Sequence, residues 1–289
     1  MTDLSISRQI FINIYPNYNL CDKIENYINN NKFKIKLAIN LCKLGRWEWF
    51  FNCKPFFKLC LVYAYLPITK NEYDKKGVSD KIFYYTMSDI KIWIDDHKDR
   101  TNNDGLYELN WINLHLSLKI FKLGRLQYQM FFYYDKKPYN KNGKTIKLGD
   151  KILNIHIPRG EKLDINECEK SIKQSKDFFK KYYPEYANSE YICHSWLLYS
   201  ENKKYMNENS NIIKFAKLFD IVSQKQAPSQ AILWLFGKKI SNAQLIKNKA
   251  TTGVYIDTNK LNSKTTLQKS AIKHINNGGT LGDAYCVLK

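Results

Sequence analysis

A chain of 289 residues with 46 Lys+Arg against 27 Asp+Glu carries a formal charge of +19 at pH 7, yet 44% of it is hydrophobic and 15% aromatic. That much Trp, Tyr, Phe and Ile can bury a sizeable core, which excludes a disordered polyelectrolyte and favours two domains over one large one. No apolar run reaches membrane-spanning length, since the longest, Phe56 to Ile68, is thirteen residues and contains Lys58. Met1 to Ile14 contains Asp3, Arg8 and Asn13 and lacks a basic start, apolar middle and small-residue cleavage site, so the expected location is cytoplasmic.

The seven cysteines, Cys21, Cys42, Cys53, Cys60, Cys168, Cys193 and Cys286, are odd in number and include no Cys-x-x-Cys pair. This argues against a disulfide framework and a zinc cage, and predicts reduced, mostly buried thiols and no metal site. The charge excess favours a polyanionic partner: nucleic acid, an acidic protein or a ligand with several phosphates.

In chain order, Ile35, Ala38, Ile39 and Cys42 fall at helical spacing, with Gly45 placed to end the helix. A second helix is predicted from Ser79, carrying Ile82, Phe83, Met87, Ile90 and Ile94 on one face. A third, from Leu106 to Leu123, groups Trp111, Leu114, Leu118 and Phe121 and stops at Gly124. His115 in that helix reads as a core or surface histidine. The aromatics Trp47, Trp49, Phe50, Phe51, Phe56 and Phe57 read first as core, and second as the lining of an acyl or acceptor pocket.

From Arg125 the period becomes two, with Leu126, Tyr128, Met130, Phe132 and Tyr134 alternating against polar residues, as in a strand. Pro138 to Gly143 reads as a turn. The domain boundary is placed at about residue 120, giving domains 1–120 and 121–289. Lys151 to Ile157 then reads as a strand, Pro158 to Leu163 as a loop, and Asp164 with Glu167 as the cap of a helix that Pro184 terminates. Tyr191 to Leu198 is a predicted strand, Ser210 caps a helix holding Ile212 to Phe219, and Ala231 to Phe236 is a predicted strand closed by Gly237. Thr265 and Gln268 form a capping box, the helix ends at Gly278-Gly279, and Ala284 to Leu288 is the last strand. A mainly helical first domain followed by an α+β (α/β) layered domain with a mixed sheet is expected.

The segments Leu123-Gly124-Arg125-Leu126-Gln127, Asn154-Ile155-His156-Ile157-Pro158, Cys193-His194-Ser195-Trp196-Leu197-Leu198, Ser210-Asn211-Ile212 and Thr266-Leu267-Gln268 carry a family likeness. In this order and spacing the chain resembles bacterial acyltransferase-domain proteins that pair an N-terminal N-acyltransferase domain with a GNAT-like C-terminal domain. The resemblance covers most of the chain after Val78. It implies a GNAT-like mixed sheet flanked by helices, no tightly bound cofactor, and acyl-CoA or an acyl carrier protein thioester as donor. The acceptor it implies is an amine, an amino acid or a peptide.

The usual GNAT pyrophosphate loop is Arg/Gln-x-x-Gly-x-Gly/Ala, whereas this chain has Arg159-Gly160-Glu161-Lys162-Leu163-Asp164, with one glycine retained. Arg159, Lys162 and a helix N-terminus suit a pyrophosphate, while Glu161 and Asp164 oppose it. Ile157, Pro158, Arg159, Gly160, Lys162, Ser195, Trp196 and Asn211 are the candidate cofactor contacts. Arg125 and Gln127 are candidate substrate contacts at the domain junction. An amine acceptor must lose a proton, so His156 and His194, on the two strands expected to border the thioester, are candidate bases, with Glu161 a third. Strand alternation puts His194 and Trp196 on one face and Cys193 and Ser195 on the other. Were the latter the working face, Cys193 would be a conceivable nucleophile, although no activating base is visible and direct attack is preferred. Two further functions fit the composition: a nucleic-acid-binding protein, which lacks any RRM, KH or helix-turn-helix signature, and a non-catalytic acyl-CoA sensor.

Overall fold

The computed structural model describes residues 4–134, 138–141, 143–237, 245–247, 254–256, 258, 261 and 263–289. The chain divides into two compact units. The first comprises Met1–Met130, His156–Glu161 and Ser171–Ala187, and the second Phe131–Ile155, Lys162–Lys170 and Asn188–Lys289.

The first unit is built from helices α1 (Leu4–Ile14), α2 (Tyr18–Asn30), α3 (Lys32–Lys43), α4 (Pro55–Lys75), α5 (Asp80–Met87), α6 (Asp89–Thr101) and α7 (Leu109–Leu116), with a β1 (Ile120–Leu123) and β2 (Leu126–Phe132) hairpin. At the centre is α4, whose residues from Phe57 to Leu66 are all buried, so its sequence shows no amphipathic period. It packs against α1, α2, α3 and α7. Pro55 starts it at a position where a missing N–H costs nothing. As expected, α3 ends at a left-handed Gly45, φ 80°.

Two expectations fail in this unit. The predicted helix from Ser79 is two helices, broken at Ser88, whose hydroxyl bonds back to the Tyr85 carbonyl at 2.7 Å. The predicted helix from Leu106 to Leu123 stops at Leu116. Leu118 takes the left-handed conformation, φ 54°, and its neighbour Lys119 bonds back to Leu114 O at 2.8 Å, so the chain turns without a glycine and Ile120–Leu123 become β1. Leu123 then pairs with Leu126 across a two-residue turn. Gly124, φ 68°, supplies the positive φ that such a turn needs.

The second unit holds a short hairpin, β3 (Tyr139–Lys141) and β4 (Lys144–Ile146), at the predicted turn. Its main strands are β5 (Lys151–His156), β6 (Glu190–Ser195), β7 (Phe219–Lys225) and, last in the chain, Asp283–Leu288. Helix α8 (Ile165–Tyr182) follows β5, with its residues up to Lys170 in the second unit and those from Ser171 in the first, α9 (Asn211–Ala216) follows β6, and α10 (Pro228–Phe236) follows β7. A second short pair, β8 (Leu245–Lys247) and β9 (Val254–Ile256), precedes α11 (Thr266–Asn276), and Asp283–Leu288 is β10. The parallel pair β5 and β6 sits beside antiparallel β10, with β7 beyond it, so the sheet is mixed.

The α11 capping box forms as read, with Thr265 and Gln268 each holding the other's backbone N–H. Asn211 to Ala216 is helical, but Phe219 opens β7 rather than belonging to that helix. The expected strand Ala231 to Phe236 is instead part of α10. Pro228 at its start and left-handed Gly237 at its end bracket nine residues, and Ala231, Ile232, Leu235 and Phe236 face a core at helical spacing. A short apolar run suits both structures, and the brackets decide it.

Candidate active site

In the second unit, β6 ends at Ser195, one residue short of Trp196. Ser195 caps a single 3-10 turn, its hydroxyl accepting from Leu197 N at 3.2 Å. Trp196 therefore leaves the strand and does not share a face with His194. Its ring joins the core with Ile213, Ala231 and Ile232, and its backbone N–H donates to Gln230 Oε1 at 3.0 Å. Asn211, after the Ser210 cap, is exposed.

His194 is 41% exposed, and its Nε2 lies 3.0 Å from Oδ1 of Asp283, which is 13% exposed. Antiparallel pairing sets Tyr285 opposite His194 and Ala284 opposite Ser195, so Asp283 at the start of β10 reaches His194 diagonally. A carboxylate on Nε2 fixes that nitrogen as the N–H and leaves Nδ1 with the lone pair. A cavity of about 250 Å³ opens here, lined by Tyr134, His194, Ser223, Gln224, Asp283 and Tyr285 among others. The β10 and β7 register shifts between Tyr285 and Cys286, a bulge that falls beside this wall. Sequence reasoning named His194 and missed Asp283, Tyr285 and Tyr134.

Cys193 points the other way and is fully enclosed, opposite Cys286. Burial, with the Cys286 thiol adding to it, pushes the Cys193 thiol well above the usual range. A thiolate there is disfavoured, so Cys193 has neither the charge nor the access of a nucleophile.

In the first unit, the segment from His156 to Glu161 is gripped residue by residue. His156 Nε2 meets Gln129 Oε1 at 2.8 Å, and its ring packs edge-on against Trp111 at 4.8 Å. Burial, reinforced by the nearby His115, pushes His156 down to about 4, against a partial pull upward from Asp89. His156 is therefore neutral at pH 7 and a weak base. Arg159 pairs with Asp96 at 2.8 Å and lies over the Trp93 ring at 5.5 Å. Glu161 pairs with the buried Lys122 at 2.6 Å, and its carbonyl accepts from Arg125 Nη2 at 2.8 Å. Pro158 is buried, Ile157 half-buried, and Gly160 exposed with φ 90°.

Asp89, unflagged by the sequence, anchors this region. Its Oδ2 accepts from Trp93 Nε1 at 2.9 Å and Trp111 Nε1 at 2.6 Å, and its Oδ1 from Gln127 Nε2 at 3.0 Å. Gln127 is thus engaged inside this buried network. His115 lies 3.6 Å from the same carboxylate and is fully buried, and burial keeps it neutral more strongly than Asp89 opposes that. In the second unit Lys162 is exposed, and Asp164 Oδ1 accepts from Asn166 N at 3.0 Å and Glu167 N at 3.1 Å. That cap occupies amides at the α8 N-terminus that a phosphate would otherwise use. Of the N-terminal aromatics, Trp47 and Phe57 are core and Trp49 is exposed.

Residues 120–288, more than half of the chain, match the GNAT-like C-terminal domain. The chain belongs to this family. Residues 36–118 of this GNAT-like chain match the N-acyltransferase N-terminal domain. No curated protein matches the GNAT-like chain in sequence. Among solved structures, it is similar to an acyltransferase in complex with decanoyl-CoA and teicoplanin, with a TM-score of 0.65 at 19% identity over 81% of this chain and 66% of the other. An acyltransferase in complex with CoA and 10C-teicoplanin matches equally, with a TM-score of 0.65 at 19% identity over 81% and 66%. A third, in complex with decanoyl-CoA, matches at 20% identity and a TM-score of 0.64, over 80% of this chain and 65% of the other. The GNAT-like chain thus spans about two thirds of the length of these structures, and the likeness establishes its fold. Among its described residues, no helix is long and apolar enough to cross a membrane, and no group of three or more His, Cys, Asp or Glu is placed to hold a metal ion.

Proposed function

We propose that this protein transfers an acyl group from an acyl-CoA thioester to an amine acceptor by direct attack within a ternary complex. The observation that carries this reading is the His194–Asp283 pair at the wall of a cavity. The family supports the chemical class, as does the fold shared with acyltransferases bound to CoA and decanoyl-CoA.

The acceptor nitrogen attacks the thioester carbonyl. The C–N bond forms, the C–S bond breaks, the nitrogen's proton passes to His194 Nδ1, and the thiolate of CoA leaves and takes up a proton. Asp283 holds the ring in the tautomer that presents Nδ1 and stabilises the imidazolium formed in the step. His194 is preferred over His156 because it is accessible and has a carboxylate partner, whereas burial makes His156 a weak base. Glu161 is engaged by Lys122. An acyl carrier protein remains the alternative carrier of the same thioester.

The test is CoA thiol release from decanoyl-CoA across a panel of amines, amino acids and peptides, comparing the native chain with His194→Ala. Amine-dependent release that falls about a hundredfold or more in the variant is the expected outcome. Release unchanged by the substitution removes His194 from the chemistry.

A further inference from the structure

The helix α3 has two apolar faces, and only one of them is used inside the protein. Ile35, Ala38, Ile39 and Cys42 are buried against the helical unit. On the opposite side Phe33, Leu37 and Leu44 are 83%, 50% and 75% exposed. At 3.6 residues per turn Phe33 and Leu37 on α3 and Leu44 at its C-cap lie within an arc of about 40° along about 16 Å, with the exposed Asn40 beside the row between Leu37 and Leu44. Lys34 flanks the line on one side, with its Nζ 4.7 Å from the Phe57 ring centroid, and Lys32, Lys36 and Lys43 flank it on the other. No carboxylate occurs between Glu25 and Glu48 to neutralise them. A cavity of about 370 Å³ opens beside this second row, floored by Ile28, Ile35, Ile39 and Ala64 with Lys32 and Lys36 among its lining.

We infer that this face of α3 docks on an anionic lipid bilayer. An apolar row bordered on one side by Lys32, Lys36 and Lys43 lets the Phe33 ring and the leucine chains enter the acyl boundary while those three ammonium groups stay at headgroup level. The charge complements an anionic surface, and α3 carries four lysines and no carboxylate. Lysine is depleted at protein–protein interfaces, where Trp, Tyr and Arg dominate, so an all-lysine border fits lipid better than an acidic protein. The apolar line distinguishes the face from a nucleic-acid surface, which would need phosphate contacts along its length. Docking here does not depend on the acyl-transfer reading, because none of these residues belongs to the proposed site.

The experiment is co-sedimentation of the full chain with phosphatidylcholine vesicles, with and without about 30% phosphatidylglycerol, at low and high salt. Binding is expected to the anionic vesicles alone and to weaken with salt. Phe33→Ser with Leu37→Ser keeps every charge and should lower binding about tenfold or more. Lys32→Gln, Lys36→Gln and Lys43→Gln together should lower it on the order of a hundredfold. Both variants alter exposed residues, and unchanged melting temperatures show that they remain folded. Absence of binding to anionic vesicles overturns the inference. So does undiminished binding by the Phe33 and Leu37 variant, which would assign the attraction to the general charge of +19.

Discussion

His194 Nε2 and Asp283 Oδ1 lie 3.0 Å apart on neighbouring antiparallel strands, one at the end of β6 and the other at the start of β10. The pairing requires no unusual backbone at either residue and follows from the register that sets Tyr285 against His194. Replacing Asp283 with Asn keeps the shape but puts an amide where the carboxylate selects the tautomer. The turnover number of Asp283→Asn should fall by about a hundredfold or more with little change in donor KM. Steady-state kinetics on a responsive amine checks this, and an unchanged turnover number removes Asp283 from the step.

Gly282 holds Asp283 in place. A Cβ there would sit 2.2 Å from Lys225 O and 2.6 Å from the Tyr199 ring, so the start of β10 would have to move. Gly282→Ala is expected to lose about 2 kcal/mol of stability, in the range of overpacking substitutions. Its activity should fall further than the unfolded fraction explains. Denaturant melts alongside turnover of the folded protein measure both.

A thiol route makes the opposite claim about Cys193. Its burial and raised pKa predict that Cys193→Ala retains turnover within about threefold, at a stability cost of about 1 kcal/mol for the small void. No acyl-enzyme should appear in mass spectra of protein mixed with donor alone. A stable mass gain at Cys193 would instead establish a covalent intermediate.

The neutral His156 gives stability a pH dependence of known sign. Its folded value of about 4 lies below the ordinary 6.5, so between those values the unfolded chain takes up a proton that the folded chain refuses. Stability is therefore full above about pH 6.5 and falls as pH drops towards 4, by about 2 kcal/mol because the residue is half-buried by surface and solvent screens part of the effect. His115, lowered by the same burial, acts in the same direction. Melting temperatures across this interval should fall for the native chain and fall less for His156→Gln. Parallel curves for the two proteins would place the dependence elsewhere.

Asp89 carries a larger structural effect. Asp89→Ala leaves the indole N–H groups of Trp93 and Trp111 and the Gln127 amide without their acceptor, which costs about 3 kcal/mol. Equilibrium unfolding of this variant measures the loss, and a change below about 1 kcal/mol would show that the network relaxes around the void.

Capping chemistry made much of the fold legible. The Thr265–Gln268 box, the Ser210 cap, the Asp164 cap and Gly45 each announced an element end in residues a few positions apart. Where the signal was not local it failed. Leu118 turns the chain in a conformation that glycine usually takes, so nothing marked the end of α7. The buried α4 shows no period because all its faces meet protein. The same limit applied to the site. His194 was visible as a histidine on a strand, but Asp283 lies 89 positions later and reaches it only through strand pairing. Asp89 gave no signal in the sequence, since its indole partners come from two different helices.

The most direct test of the account is a thermal-shift titration of the native chain with CoA, acetyl-CoA and decanoyl-CoA. A ligand bound only by the folded state adds about 2.7 kcal/mol at a hundredfold excess over its Kd. The account predicts a rise in melting temperature with CoA that grows with acyl chain length. No rise with any of the three would contradict an acyl-CoA donor site in this protein.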